Sequence, residues 1–468
     1  MKKFEKNTKG IIVALISVVM FMEFLDATII NTAIPSIAKS FQQDPLLLKF
    51  SVTSYFLSLA IFIPISGWCA DKFGTRKIFL SSVTLFVLAS FLCAISTNIL
   101  ELAIFRFLQG MGGAFMNPVS RIIILRIFQP KELVRIQGYI FTPAMLGFVL
   151  GPFLGGIIAT YLSWSWIFLV NIPVGLTVVY LGFYFIPEQK EKVVKKFNTL
   201  GFILAAVSLS CISFSVDMIG HYEYVPKIFV FLAGCIGIIL FFTLIFYCLR
   251  AHNAIFNFLL FRFKTFRVGL LSNFTMYMVS SSSIFLLPLM FQVQFMYSPM
   301  YSGILVLPIF FGYLVFRFLA PRIIPKIGFK VSGTISCILV VVSILLVAQI
   351  KLTTSIYYIV CVEFLLGACT ILFGSTTGAL TYVDVPKNLT SHATALDLTS
   401  RQFASGMGVG ACAFFINFFR HAFSLELSSP GGSKVFQYTF IFMSLLGLLS
   451  LIHILQLGRR EGEHALKA

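Results

Sequence analysis

Charge is scarce in this chain: 11% of its 468 residues are Asp, Glu, Lys or Arg, against 58% hydrophobic, and the mean hydropathy is +0.96. Polar groups this sparse exclude water as the main solvent. Paired cysteines are missing too. The nine cysteines are scattered singly, mostly within apolar runs (Cys93, Cys235, Cys361, Cys369, Cys412), with no C-x-x-C spacing; they read as small packing residues rather than metal ligands or redox centres. No G-x-x-x-x-G-K-[ST] occurs and no polar segment is large enough for a nucleotide-binding domain, which excludes an ATP-driven pump within one chain. Neither H-E-x-x-H nor a Ser, His and Asp grouping able to converge at one depth is present, so no catalytic residue is assigned and an enzyme is not expected. His392 and His453 fall near the ends of apolar runs without metal-ligand spacing. No metal and no cofactor is implied. Stretches such as 228–247 lack the apolar and polar alternation of a transmembrane barrel strand.

What the sequence has instead is a series of apolar runs of roughly 18–25 residues, from Ile11 to about Leu457, each able to cross a bilayer as a helix. Segmentation gives about fourteen spans, near 11–35, 48–70, 78–97, 100–124, 136–160, 164–186, 200–217, 228–249, 268–293, 301–320, 331–350, 356–379, 391–419 and 435–457. The first run follows a basic start but lacks a small-residue cleavage site, and is read as an uncleaved span. The net charge of +18 reflects topology rather than a nucleic-acid partner. Most Lys and Arg lie in alternate connecting segments, the set that includes both termini, while Arg106 and Arg401 lie within spans. This positive-inside pattern predicts a multi-pass protein of the inner (plasma) membrane with both termini in the cytoplasm.

The longest polar interruptions, 187–198 and 250–267, are basic and bracket two extra spans. They divide the chain into a six-helix bundle (1–196), two additional helices (197–250) and a second six-helix bundle (251–468). A faint repeat supports the division: Asp71-Lys72-Phe73-Gly74-Thr75-Arg76 and Pro325-Lys326-Ile327-Gly328-Phe329-Lys330 occupy the same tight loop, between the second and third helix of each bundle.

At this point the residues resemble the major facilitator superfamily, specifically its fourteen-helix branch of drug/proton antiporters. GWCADKFGTRKIFL (67–80) is similar to the superfamily's loop signature, LDATIINTAIPSIA (25–38) and SWSWIFLVNIPVG (163–175) to segments of that branch, and RFLQGMGGAFMNP (106–118) to its motif around a buried Arg. The resemblance covers essentially the whole chain and implies an all-α integral membrane fold of two six-helix bundles plus two extra helices. In it, GFVLGPFLGG (147–156) is the antiporter helix motif, with Gly147, Gly151, Pro152, Gly155 and Gly156, and the loop residues Gly67, Asp71, Gly74 and Arg76 form a conformational latch, with Lys72 and Lys77 beside them. Pro325 stands where Asp71 stands in the first half, which puts the second loop's role in doubt.

Read physically, ionisable residues within the spans are the functional candidates. Glu23 and Asp26 are three apart on one face of the first helix. Counting along the helices puts Asp26 roughly 14 Å and Arg106 roughly 9 Å from the outer surface, in one layer of the membrane. Two readings stand: Asp26 carries a coupling proton, with Arg106 as electrostatic partner and Glu23 assisting or meeting a cationic substrate, or Asp26 and Arg106 form a static ion pair. The smooth glycine stripe permits close helix approach, in an antiporter or in any tight helix pair. In the second half, Asp397 and Arg401 have the spacing of an intrahelical pair and Glu363 has no evident partner. Tyr277, Phe285 and Gln292 are candidates to line a cavity. The expectation is a monomeric secondary transporter whose partners are a small-molecule substrate, protons and the lipid bilayer, exporting amphipathic or lipophilic molecules by proton antiport. A metabolite or siderophore exporter, a symporter or facilitator of the same fold, and a non-transporting sensor or scaffold are the alternatives.

Overall fold

The computed structural model describes residues 2–191, 196–219, 225–251, 253–429, 431–458 and 461–462. Residues 192–195 of the predicted basic segment lie outside the described residues. Among the described residues, fourteen helices are long and apolar enough to span a membrane: α1 (Thr8–Phe41), α2 (Pro45–Phe73), α3 (Thr75–Ala94), α4 (Ile99–Ile127), α5 (Arg135–Tyr161), α6 (Trp166–Phe185), α7 (Thr199–Met218), α8 (Lys227–Arg250), α9 (Lys264–Gln294), α10 (Pro299–Ile327), α11 (Phe329–Val347), α12 (Ile356–Tyr382), α13 (Lys387–Ala422) and α14 (Gly432–Leu455). Among the described residues there is no strand, as hydrocarbon requires of an open chain, since only a helix satisfies its own backbone.

Packing repeats with the sequence. In the first half α1 lies on α5, α2 and α3 on α4, and α3 on α6; in the second half α9 lies on α13, α10 and α11 on α12, and α11 on α14. The halves meet along α5 with α10 and α2 with α13, while α7 packs on α8 and against both α2 and α13. The short motif that suggested the repeat is one structure used twice. Gly74 ends α2 at φ +102° and Gly328 ends α10 at φ +79°, a left-handed turn that L-residues with a Cβ adopt at a cost. Gly74→Ala and Gly328→Ala are each expected to lose about 1–3 kcal/mol of stability. The Cβ at Gly74 would also meet the Glu188 carboxylate, but that is the movable end of an exposed side chain, so the two losses should be similar; thermal unfolding checks this, and no loss in either variant would refute a need for glycine.

Fourteen crossings return the chain to the side on which it began, here termed the terminal side. Away from that side, one apolar core joins the halves: Leu25, Ile29 and Ile34 of α1 and Leu48 and Val52 of α2 share it with Phe285 and Phe291 of α9, Phe310 of α10 and Ile416 of α13. Toward the terminal side each half keeps a core of its own, around Ile12, Val119 and Ile140 in the first and Val268, Ile324 and Phe329 in the second. The structure is therefore sealed at the far side.

Candidate functional site

Five helices of the first half converge on Asp26. Its carboxylate accepts from Arg106 Nη1 at 2.6 Å, from Gln109 Nε2 at 2.8 Å and from Asn171 Nδ2 at 2.9 Å. Gln109 also accepts from Arg106 at 2.6 Å and donates to Ser90 Oγ at 2.8 Å, and Arg106 Nε donates to the Ser51 carbonyl at 3.3 Å. The guanidinium lies 4.3 Å from the ring centre of Tyr55 and 5.8 Å from that of Phe168. Asp26, Arg106, Gln109 and Asn171 are buried. Such a pair is held by its surrounding donors as much as by Coulomb attraction, since desolvating both ions offsets much of that attraction. The shared depth read from the sequence is thus a direct contact. Gln109 and Asn171, which the sequence reading did not single out, hold the pair in place; both lie inside motifs that it quoted.

Glu23 is different. It lies one turn nearer the terminal side, is half-buried, and its Oε2 is enclosed without a hydrogen-bond partner; the Tyr55 hydroxyl is likewise unpartnered. Aromatic rings from both halves gather in the same region. Phe24 of α1 meets Phe148 of α5 edge-on at 6.2 Å, and Phe148 meets Phe310 and Tyr313 of α10 at 4.9 and 5.6 Å. Glu23, with Oε2 unpartnered, is thus the chain neighbour of Phe24, one member of an aromatic cluster at the junction of the bundles.

Comparison with known proteins decides the family. The sequence profile of the Major Facilitator Superfamily matches residues 16–409. The chain belongs to that superfamily. Among relatives of this facilitator-superfamily transporter, the provisionally named transport protein HsrA of Haemophilus influenzae is 33% identical over 448 residues, 96% of each chain. The provisionally named multidrug resistance protein MdtD of Pectobacterium atrosepticum is 32% identical over 427 residues, 91% of each. The fold is shared with an auto-inhibited POT family peptide transporter (TM-score 0.70, 12% identity, covering 96% and 97% of the two chains) and with the nucleoside transporter NupG (0.67, 12%, 96% and 100%).

The transporter's loop signature is engaged within the first half. Asp71 accepts from Arg126 at 2.8 Å, Arg126 also reaches Glu191 at 2.7 Å, Arg76 lies 3.5 Å from Glu188, and Lys72 sits over the Trp68 ring at 4.6 Å. The segment following α6 thus pairs with the loop that the family resemblance makes a conformational latch. Gly67 has open space where a Cβ would stand.

The helix α5 stripe serves two neighbours. At Gly147, Gly151 and Gly155 a Cβ would strike Phe21, Thr28 and Ile29 of α1, whereas Gly156 lies against Pro299 and Met300, and Pro152 against Gly303, of α10. Gly156→Val is expected to overpack the α5 and α10 contact by about 1–3 kcal/mol and so to cut export while raising access to thiols placed at the far side; unchanged thiol access would count against a closing role for Gly156.

In the second half, Asp397 and Arg401 form the intrahelical pair expected, at 2.8 Å, joined by the hydroxyls of Tyr382 and Tyr277. Glu363 is buried with neither carboxylate oxygen partnered. Phe285 and Gln292 are both buried at the interface of the halves. Phe285 belongs to the core that joins the halves, and Gln292 donates across the interface to the Thr32 carbonyl at 2.9 Å. The sequence reading also passed over Lys49 and Asp217, both buried; each stands at the end of an apolar run, where a charge reads as interfacial.

Proposed function

We propose that this transporter is a proton-coupled exporter of small amphipathic or lipophilic molecules, working by alternating access as the two bundles rock about the α5 with α10 and α2 with α13 contacts. The observation that carries this reading is the contrast between two carboxyls one turn apart. Asp26 is saturated by Arg106, Gln109 and Asn171, so its charge is part of the scaffold. Glu23 has no donor for Oε2, and an ionised carboxylate without a donor is expensive in a dry interior. Glu23 therefore gains most from taking up a proton when the site is closed, and from releasing it to water or to a cationic substrate when the site opens. The rings of Phe24, Phe148, Phe310 and Tyr313 offer a lipophilic molecule apolar area, the one hydroxyl among them, that of Tyr313, being already bonded to Ser280. The multidrug name carried by the MdtD relative points to the same substrate class. The distribution of Lys and Arg supports cytoplasmic termini, and on that reading the far-side seal faces outward.

Reconstituted vesicles with an internal acid load test the reading. Addition of lipophilic cations and neutral drugs in turn is expected to drive proton release that depends on Glu23. Absence of release for every compound, with the protein folded, would overturn proton-coupled drug export; outward movement of preloaded substrate together with the protons would indicate symport.

A further inference from the structure

The second bundle holds a counterpart of the Arg106 site with its charge reversed. The packing repeat matches α12 to α4 and α10 to α2. Glu363 stands seven residues after Ile356, the first of α12, as Arg106 stands seven after Ile99, the first of α4. Four residues further on, Gly367 and Gly110 confirm the register: a Cβ on Gly367 would strike the Ile309 carbonyl of α10, and one on Gly110 the Tyr55 carbonyl of α2. Ile309 and Tyr55 in turn each stand ten residues after the proline that opens their helix, Pro299 and Pro45. The partners do not match. Arg106 meets Asp26 and Gln109, whereas α9, the counterpart of α1, holds no Asp or Glu, and Leu366 takes the place of Gln109. Glu363 is fully buried, and neither carboxylate oxygen has a hydrogen-bond partner among the described residues. Its own helix bears no other charge. The helices packed on α12 are α9, α10 and α11. Their charges, Lys264 and Arg267 of α9, Arg317, Arg322 and Lys326 of α10 and Lys330 of α11, all lie in the terminal-side halves of those helices. Their titratable Tyr277, Tyr301, Tyr313 and Cys337 make no hydrogen bond to Glu363.

We propose that Glu363 is a proton-binding site of the second bundle, filled while the far side is shut and emptied when it opens. An ionised carboxylate without a donor is expensive in a dry interior, so the closed arrangement accepts Glu363 only in its neutral form. Val362 and Leu366, on either side of it along α12, belong with Leu305 and Ile309 of α10 to the core that joins the halves at the far side. About 10 Å of helix separates Glu363 from the far end of α12. When that core parts, water reaches the carboxyl, the proton leaves to the far-side solution, and the ionised form is the stable one at neutral pH. The two arrangements therefore differ by one proton, and each unit of pH above the carboxylate range favours the open one by about ten-fold. The transporter closes its far side only after taking a proton from the solution there. The inference rests on the alternating access proposed above but not on proton release at Glu23, so vesicles that show no drug-driven release leave it standing.

Distances measured by pulsed electron paramagnetic resonance on the full chain in detergent micelles, where both faces meet one pH, test the site. Spin labels are placed on Gln43→Cys, after α1, and Thr353→Cys, after α11, exposed positions at the far side of the two halves. The native cysteines are replaced by alanine, and Glu23→Gln is included so that Glu23 cannot contribute. From about pH 6 to about pH 8 the ratio of long, open distances to short, closed ones is expected to rise about ten-fold or more. Glu363→Gln, added to this background, keeps the volume of the protonated acid but cannot ionise, and the ratio is expected to stay at its low-pH value throughout. A background protein whose ratio does not change with pH overturns the site. A rise that persists with Glu363→Gln overturns it too, because another group must then titrate. Glu363→Met, neutral at every pH, covers the case of a Gln variant that fails to fold, and a pH-dependent ratio there is equally fatal.

Discussion

Glu23→Gln is expected to abolish substrate-driven proton release, bringing it to the level of empty vesicles, while leaving the fold intact. The side chain keeps its volume and the Oε2 atom it replaces has no donor to lose, so unfolding free energy should stay within about 1 kcal/mol of the parent. What disappears is the one carboxyl of the site free to change protonation. Substrate binding to the aromatic cluster should survive, weakened for cations and unaltered for neutral compounds, since only the former gain from an ionised Glu23. The decisive measurement compares ligand binding and proton release on one preparation. Release that persists in the Gln variant would move the coupling proton to Asp26.

The second large effect is on stability. Asp26→Asn leaves Arg106 buried and without its counter-ion, and breaking a buried pair from one side costs about 3–5 kcal/mol. Expression and unfolding temperature should both fall, and transport with them. If the loss reflects an orphaned guanidinium, removal of the second charge should recover much of it: Asp26→Asn/Arg106→Gln is expected to be more stable than Asp26→Asn alone. Thermal unfolding of the single and double variants decides the matter. A single variant as stable as the parent, yet inert in proton release, would instead favour Asp26 as the titrating group.

These two experiments separate roles that the sequence could place side by side but not divide. Helical spacing put Glu23 and Asp26 on one face, and depth counting put Arg106 opposite Asp26. Whether either carboxyl is satisfied depends on Gln109 and Asn171, from α4 and α6, and no periodicity relates residues so far apart in the chain. Cavity lining was beyond reach for the same reason. In a helix whose polar residues spread round it, as those of α9 do, hydrophobicity does not say which face meets lipid and which meets protein, so the sequence named Phe285 and Gln292 as cavity candidates without placing them at the interface of the halves, where both lie. Lys49 and Asp217 were missed because a charge at the end of an apolar run ordinarily reaches the membrane surface; here a third helix covers both.

The sequence by itself determined the solvent, the helical class and the number of spans, because apolar run length and charge scarcity are local properties that a bilayer reads directly. It also suggested a repeat of two halves, through a glycine at the turn between the second and third helix of each. Only the tertiary structure decided which side is sealed, which carboxyl is saturated and what the additional helices touch. Those are questions of convergence among side chains hundreds of residues apart, and their answers come from packing.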